Sequence, residues 1–264
     1  MPHADVAGRR IHYIEPGDGR PLLCIQGMSG THVSWGEPFL AALRARGLAP
    51  LAYDHRSTGR SDRADEPFTL GDLAEDALGL LDALGHDRID VLGISMGGMV
   101  AQELALRHPQ RVRSLVLGCT YAGGPEGALA GPDVQQLLGE ALMSGDRERA
   151  LRAGFEVNLS KRFATEANWP AFREMATTLP VAVSVIGRQA QAIGRHDTSA
   201  RLAELAMPVL VVHGEEDRML PVANGRAIAA AIPGARLEVL EGVGHLFWWE
   251  EPERSAGLIA GFVQ

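Results

Sequence analysis

Ile89-Asp90-Val91-Leu92-Gly93-Ile94-Ser95-Met96-Gly97-Gly98-Met99-Val100-Ala101-Gln102-Glu103-Leu104-Ala105-Leu106-Arg107 is the stretch on which the fold turns. Ile89 to Ile94 is short, mostly apolar and β-branched, as a buried strand should be. From Gly98 to Arg107 the apolar residues recur at helical spacing, with Pro109 just past the end. Between the two lies G-x-S-x-G. A chain with 31 glycines meets that pattern readily, so it is the strand before and the helix after that give it meaning. In this context Gly93 and Gly97 allow a tight strand-to-helix turn, and Ser95 takes a strained backbone conformation that exposes its hydroxyl. Ser95 is thus a candidate nucleophile. The first N–H groups of the helix have no intrahelical partner, so the Met96 amide and the positive end of the helix dipole are available to an oxyanion.

Working outward, strands are expected at Leu22 to Ile25, Ala49 to Tyr53, Ser114 to Leu117, Val209 to Val212 and Leu237 to Leu240. Helical periodicity runs over Glu37 to Arg46, Leu70 to Leu84 and Ala223 to Ala231, with Gly47 and Gly85 where C-terminal glycines belong. A hairpin-like segment, Val6 to Glu15 with a turn at Pro16-Gly17-Asp18-Gly19, precedes them. Strands alternating with helices predict an α/β fold with a mostly parallel sheet and right-handed crossovers. From Tyr121 to Ala206 the alternation stops. Helices are expected there at Asp133 to Met143, Arg147 to Ala153, Trp169 to Thr177 and Val181 to Ile193, which divides the chain into a core, 1–120 with 207–264, and a helical insertion, 121–206.

A serine needs a base, usually histidine, and an acid to orient it, and both should follow later strands. After Val212 comes His213-Gly214-Glu215-Glu216-Asp217, and after Leu240 comes Glu241-Gly242-Val243-Gly244-His245, which makes Asp217 the candidate acid and His245 the candidate base. The order serine, acid, histidine is the one expected of this arrangement. A second oxyanion donor is expected from Gln26-Gly27-Met28-Ser29-Gly30, with the Met28 amide pairing with that of Met96. Gln26, Gly27, Trp169 and Leu246 are the residues expected on the substrate, and Leu137, Leu138, Met143, Phe155 and Phe172 are further apolar candidates in the insertion. His32, His55, His196 and His213 are read as loop histidines, each a candidate to line the pocket, although single loop histidines are more often structural. The turn Asp54-His55-Arg56-Ser57-Thr58-Gly59-Arg60-Ser61 is also read as structural, with Asp54 an alternative acid.

The 264 residues, 46% apolar, suffice for a full sheet covered on both faces. A net charge of -8 argues against nucleic acid or an anionic membrane as partner. No apolar run reaches the roughly 20 residues that span a bilayer, and no signal-peptide pattern opens the chain, so a cytoplasmic location is expected. Cys24 and Cys119 fall in strands at least one strand apart, about 9 to 10 Å, beyond disulfide reach. None of the nine histidines has H-x-H or H-x-x-x-H spacing, so neither a metal nor another cofactor is expected.

With these landmarks placed (Gln26-Gly27, Asp54 to Ser61, Gly93 to Gly98, His213 to Pro221, Gly244-His245), the chain resembles the α/β-hydrolase fold superfamily over essentially its whole length outside the insertion. It looks most like small bacterial esterases and lactonases, including 3-oxoadipate enol-lactonase-like and aclacinomycin methylesterase-like proteins. The resemblance implies that 121–206 is a cap over the active site and that the substrate is a small ester or lactone, with no nucleic acid or membrane partner and no assigned oligomeric state. Two positions differ from particular relatives. Most have His-Gly where Gln26-Gly27 stands, and serine at 95 argues against dehalogenase and epoxide hydrolase chemistry, which uses a carboxylate. Carbon–carbon bond hydrolysis, cofactor-free haloperoxidase or perhydrolase chemistry, amide hydrolysis and slow-turnover ligand reception stay open on the same three residues.

Overall fold

Residues 2–263 are described by a computed structural model. The chain opens with a hairpin, β1 (His3–Val6) and β2 (Arg9–His12), followed by β3 (Arg20–Ile25), α1 (Glu37–Arg44), β4 (Leu48–Ala52), α2 (Leu70–Ala83), β5 (Ile89–Ile94), α3 (Met96–Arg107) and β6 (Val112–Gly118). Next come α4 (Pro132–Met143), α5 (Arg147–Asn158), α6 (Trp169–Thr178) and α7 (Val183–Ile193), and the alternation resumes with β7 (Val209–Gly214), α8 (Ala223–Ala231), β8 (Arg236–Leu240), α9 (Phe247–Glu250) and α10 (Pro252–Val263). Strands β3 to β8 form one parallel sheet in the order β4-β3-β5-β6-β7-β8.

Period-two alternation along the strands builds a core on each face of this sheet. Leu23, Ile25, Val91, Leu115, Leu117 and Val211 face α2, α3 and α8, where they meet Leu73, Leu80, Val100, Leu104 and Ile228. Leu22, Cys24, Leu92, Val116, Leu210 and Val212 face α1 and α10, where they meet Phe39, Leu43 and Ile259. Strand β5, which leads to Ser95, is central and fully buried, so its C-terminal end is held from both sides. Cys24 in β3 is buried and free, as is Cys119, which lies one residue past the end of β6 and not, as expected, within a strand; β5 runs between β3 and β6.

Most element ends shift by one to three residues from the sequence reading, and three differences are larger. The hairpin turns at Ala7-Gly8, both with positive φ (50° and 78°), as a two-residue connection between twisted antiparallel strands requires. The stretch from Pro16 to Gly19 instead leads into β3, where Arg20 N donates to Gly47 O. Helix α5 runs on to Asn158, one and a half turns beyond Ala153, because Phe155 and Val157 have buried places to fill. Helix α10 was not anticipated, although Ala256, Ile259, Ala260 and Val263 form an i, i+3, i+4, i+7 stripe that buries against α1. No helix among the described residues is long and apolar enough to cross a membrane.

Candidate active site

Ser95 stands between β5 and α3 with φ 53° and ψ -124°, a conformation that an L-residue adopts only under constraint. The constraint is visible on both sides. Ser95 N donates to Gly118 O at 2.9 Å, and its carbonyl accepts from Thr120 Oγ1 at 2.7 Å. Gly97 holds the first turn of α3 against the end of β3: a Cβ there would sit 2.1 Å from Ile25 O. Ser95→Gly should therefore relieve strain and raise stability by about 1 kcal/mol, about 2–4 °C in Tm by calorimetry. An unchanged or lower Tm would mean that the turn stores no strain.

The expected oxyanion turn adjoins this serine. A Cβ on Gly27 would lie 3.0 Å from Ser95 Cβ and 3.5 Å from Ser95 Oγ, so only glycine lets the turn pass this closely. Gln26 accepts from Gly27 N through Oε1 at 2.8 Å. Gln189 of α7 accepts from Ser29 N through Oε1 at 2.9 Å. The two outer amides of the turn are thus occupied by glutamine carbonyls. The amide between them, Met28 N, and Met96 N at the start of α3 have no acceptor among the described residues. The turn is braced from behind by His55, whose Nε2 lies 2.9 Å from Gln26 O. A carbonyl only accepts, so Nε2 carries the proton, and burial holds this imidazole neutral by lowering its pKa.

The structure brings Asp217 and His245 together. Asp217 Oδ2 lies 2.7 Å from His245 Nδ1, while Oδ1 accepts from Met219 N and Leu220 N, each at 2.9 Å. Burial alone would raise the Asp217 pKa, but the charge of His245 and hydrogen bonds from His213 and His245 outweigh it and hold the carboxyl below its ordinary range. His213 was not expected to have this part. Its Nε2 lies 2.7 Å from Leu220 O and 3.3 Å from Asp217 Oδ2, so the Nε2–H tautomer donates toward both. Cys119 also joins the group: its Sγ lies within 4.8 Å of ligand-type atoms of Asp217 and His245. Cys119 follows Gly118, whose carbonyl accepts from Ser95 N, so the pair and the serine both lie at the C-terminal end of β6. No hydrogen bond joins Ser95 Oγ to His245 in this structure.

A cavity of about 630 Å³ opens at this edge between the sheet and the helices α4 to α7. Gln26, Met28 and Leu246 line it, with Leu151, Phe172, Met175, Leu179, Ile186 and Trp248 giving it an apolar wall. Gly27 is not on its wall but lies against Ser95, and the structure does not bring Trp169 there. That ring packs 5.3 Å from Phe155 and 6.1 Å from Phe172, with the Arg152 guanidinium 3.9 Å above it, so it serves the core of the inserted helices. Of the further apolar candidates only Phe172 reaches the cavity; Phe155 is in the same aromatic core and Met143 is 86% exposed. Asp54 accepts from His32 N at 2.7 Å and Arg60 N at 2.9 Å, as a turn-stabilising residue does. His12, His32 and Asp54 form a second close group of metal-ligand types among the described residues, but His32 Nδ1 already engages the carboxylate at 2.9 Å.

A model of the alpha/beta hydrolase fold family matches residues 20–252. The chain is 32% identical over 270 residues to a 2-hydroxymuconate semialdehyde hydrolase of Pseudomonas sp. (strain CF600), covering 97% of this chain and 91% of that one. It is 31% identical over 259 residues to a rhodomycin D methylesterase of Streptomyces sp. (strain C5), covering 88% and 86%. Among solved structures, the enol-lactonase from Burkholderia xenovorans LB400 superposes with a TM-score of 0.82 at 26% identity, over 99% of each chain. The parallel six-stranded sheet, the turn at Ser95 and these matches lead to one conclusion: the chain belongs to the alpha/beta hydrolase fold family.

Proposed function

We propose that this protein is a serine hydrolase of small carboxylic esters or lactones, with Ser95 as nucleophile, His245 as general base, Asp217 as the acid that orients it, and residues 121–206 as the cap over a core of 1–120 and 207–264. The observation that carries this reading is the 2.7 Å contact between Asp217 Oδ2 and His245 Nδ1. An ionised Asp217 keeps the Nδ1 proton in place, which leaves Nε2 with its lone pair free to take the Ser95 proton. Ser95 Oγ then attacks the carbonyl carbon, and the Met28 and Met96 amides hold the resulting oxyanion. His245 returns the proton to the departing alkoxide, or to the ring oxygen of a lactone. In the second half, water gives its proton to His245 and releases the acid, restoring Ser95.

The apolar walls favour an acyl or aromatic group of modest size. Initial rates on p-nitrophenyl esters of graded length, on lactones and on vinylogous diketones test the reaction class. Fast multiple turnover of esters or lactones is expected. Cleavage of the diketones alone, or a stoichiometric burst without turnover, would replace this reading by carbon–carbon hydrolysis or ligand reception. Filling the cavity tests the site: Ala176 lines it, so Ala176→Trp is expected to raise KM for p-nitrophenyl octanoate by about tenfold and leave the acetate ester nearly unchanged. Equal effects on both esters would place the acyl group elsewhere.

A further inference from the structure

We propose that Glu250 is a positioning residue that couples the seating of the cap to the placement of His245; the proposal rests on the hydrolase reading above and names a control on that same site. Glu250, on α9, is buried, and its Oε1 accepts two backbone N–H groups from different parts of the chain: Ser160 N at 2.8 Å and Gly244 N at 3.0 Å. Its Oε2 takes the Ser160 hydroxyl. On the other side of the histidine, Leu246 N donates to Asn158 O at 3.1 Å. Gly244 and Leu246 are the two chain neighbours of His245. Both of their amides are therefore tied to the segment that ends α5, one directly and one through a single carboxylate oxygen.

The same helix forms part of the cavity wall through Ala150, Leu151, Gly154 and Asn158. Leu159 and Phe172 of the insertion pack with Leu246 and Trp249 across this joint. A shift of α5 on filling the cavity is thus passed to the backbone on either side of His245, while Asp217 keeps hold of Nδ1. Glu250 touches neither the substrate nor the reacting atoms. It acts through the backbone at 244.

The test compares Glu250→Gln, Glu250→Asp and Ser160→Ala in the full chain, with steady-state hydrolysis of p-nitrophenyl butyrate and Tm measured for each. Glutamine keeps an acceptor oxygen able to receive both backbone N–H groups, so Glu250→Gln should stay within about threefold of the parent in kcat. Aspartate keeps the charge but is one methylene too short to reach both, so Glu250→Asp should lose at least about tenfold in kcat with KM within about threefold. Ser160→Ala deletes only the hydroxyl and should lower kcat by about threefold, again with KM unchanged; it supplies the result if Glu250→Asp does not fold. A loss in Glu250→Gln as deep as that in Glu250→Asp would overturn the proposal, as would a loss confined to KM or an unchanged kcat in Ser160→Ala. If Ser95→Ala is inactive while Glu250→Asp turns over like the parent, the hydrolase reading stands and the positioning role falls.

Discussion

Ser95→Ala is expected to lower turnover of p-nitrophenyl butyrate by at least about 10⁴-fold while leaving a folded protein with KM close to the parent's. The size follows from what the proposed mechanism loses: without Oγ no acyl-enzyme forms, and only the proposed oxyanion amides and the cavity are left to act on the ester. The fold should survive because Ser95 Oγ holds nothing together. The hydrogen bonds at this residue run through its backbone, to Gly118 O and from Thr120 Oγ1. Alanine meets the same positive φ as serine, so Tm should stay within a few degrees, in contrast to the gain expected for Ser95→Gly. Circular dichroism and Tm check the fold, and initial rates check the chemistry. Hydrolysis by the alanine variant at more than about 1% of the parent rate would mean that another group attacks the ester.

Asp217→Asn should be nearly as damaging, by about 10⁴-fold in kcat near neutral pH, for a reason that the local hydrogen bonds dictate. Met219 N and Leu220 N both donate to Oδ1, so the carboxamide oxygen of asparagine must take that place. Its NH₂ group then faces His245 Nδ1. A donor there forces Nδ1 to accept, which puts the imidazole proton on Nε2 and leaves no lone pair to take the Ser95 proton. The same NH₂ also meets the Nε2–H of His213, adding a clash between donors. A loss of less than about tenfold would show that Asp217 does not set the tautomer of the base.

This substitution has a second readout in the acid limb of stability. The folded-state pKa of Asp217 is depressed, so the fold favours the ionised carboxylate. Its stabilisation is therefore fully present above the unfolded-state value of about 3.9 and is lost as pH falls through the lower folded-state pKa. The difference in stability between parent and Asp217→Asn should be greatest above about pH 5 and shrink below about pH 4. Urea melts at pH 3.5, 5 and 7 measure it, and a difference that grows on acidification would contradict the assignment.

The parts of this protein that were legible in the sequence are those that repeat or sit at a fixed offset from a strand. The alternation of strands and helices gave the parallel sheet, and the positions of Ser95, Asp217 and His245 just past strand ends brought them to one edge. Contacts between distant segments carry no such signature. Nothing in the residues around Glu250 announces that its carboxylate bridges Ser160 and Gly244, and nothing in α7 marks Gln189 as the acceptor for Ser29 N. Trp169 was expected on the substrate for being large and apolar, but an aromatic residue at helical spacing fills the core of its own helices more readily than a cavity wall. The hairpin turn at Ala7-Gly8 escaped because strands of four residues give too short an alternation to read.

Two glutamines from distant parts of the chain shape the turn at Gly27. Gln26 folds back to accept from the next amide, and Gln189 closes the turn from the insertion, which leaves the Met28 N–H without an acceptor among the described residues. The proposed oxyanion site is therefore built jointly by the sheet and by α7.

The most direct test is to treat the protein with a fluorophosphonate ester and locate the adduct by peptide mass mapping. A single phosphonyl group on the peptide that contains Ser95 is expected, with labelling slowed by orders of magnitude in His245→Ala. A label on any other residue, or full esterase activity in protein that remains unlabelled, would contradict Ser95 as the nucleophile.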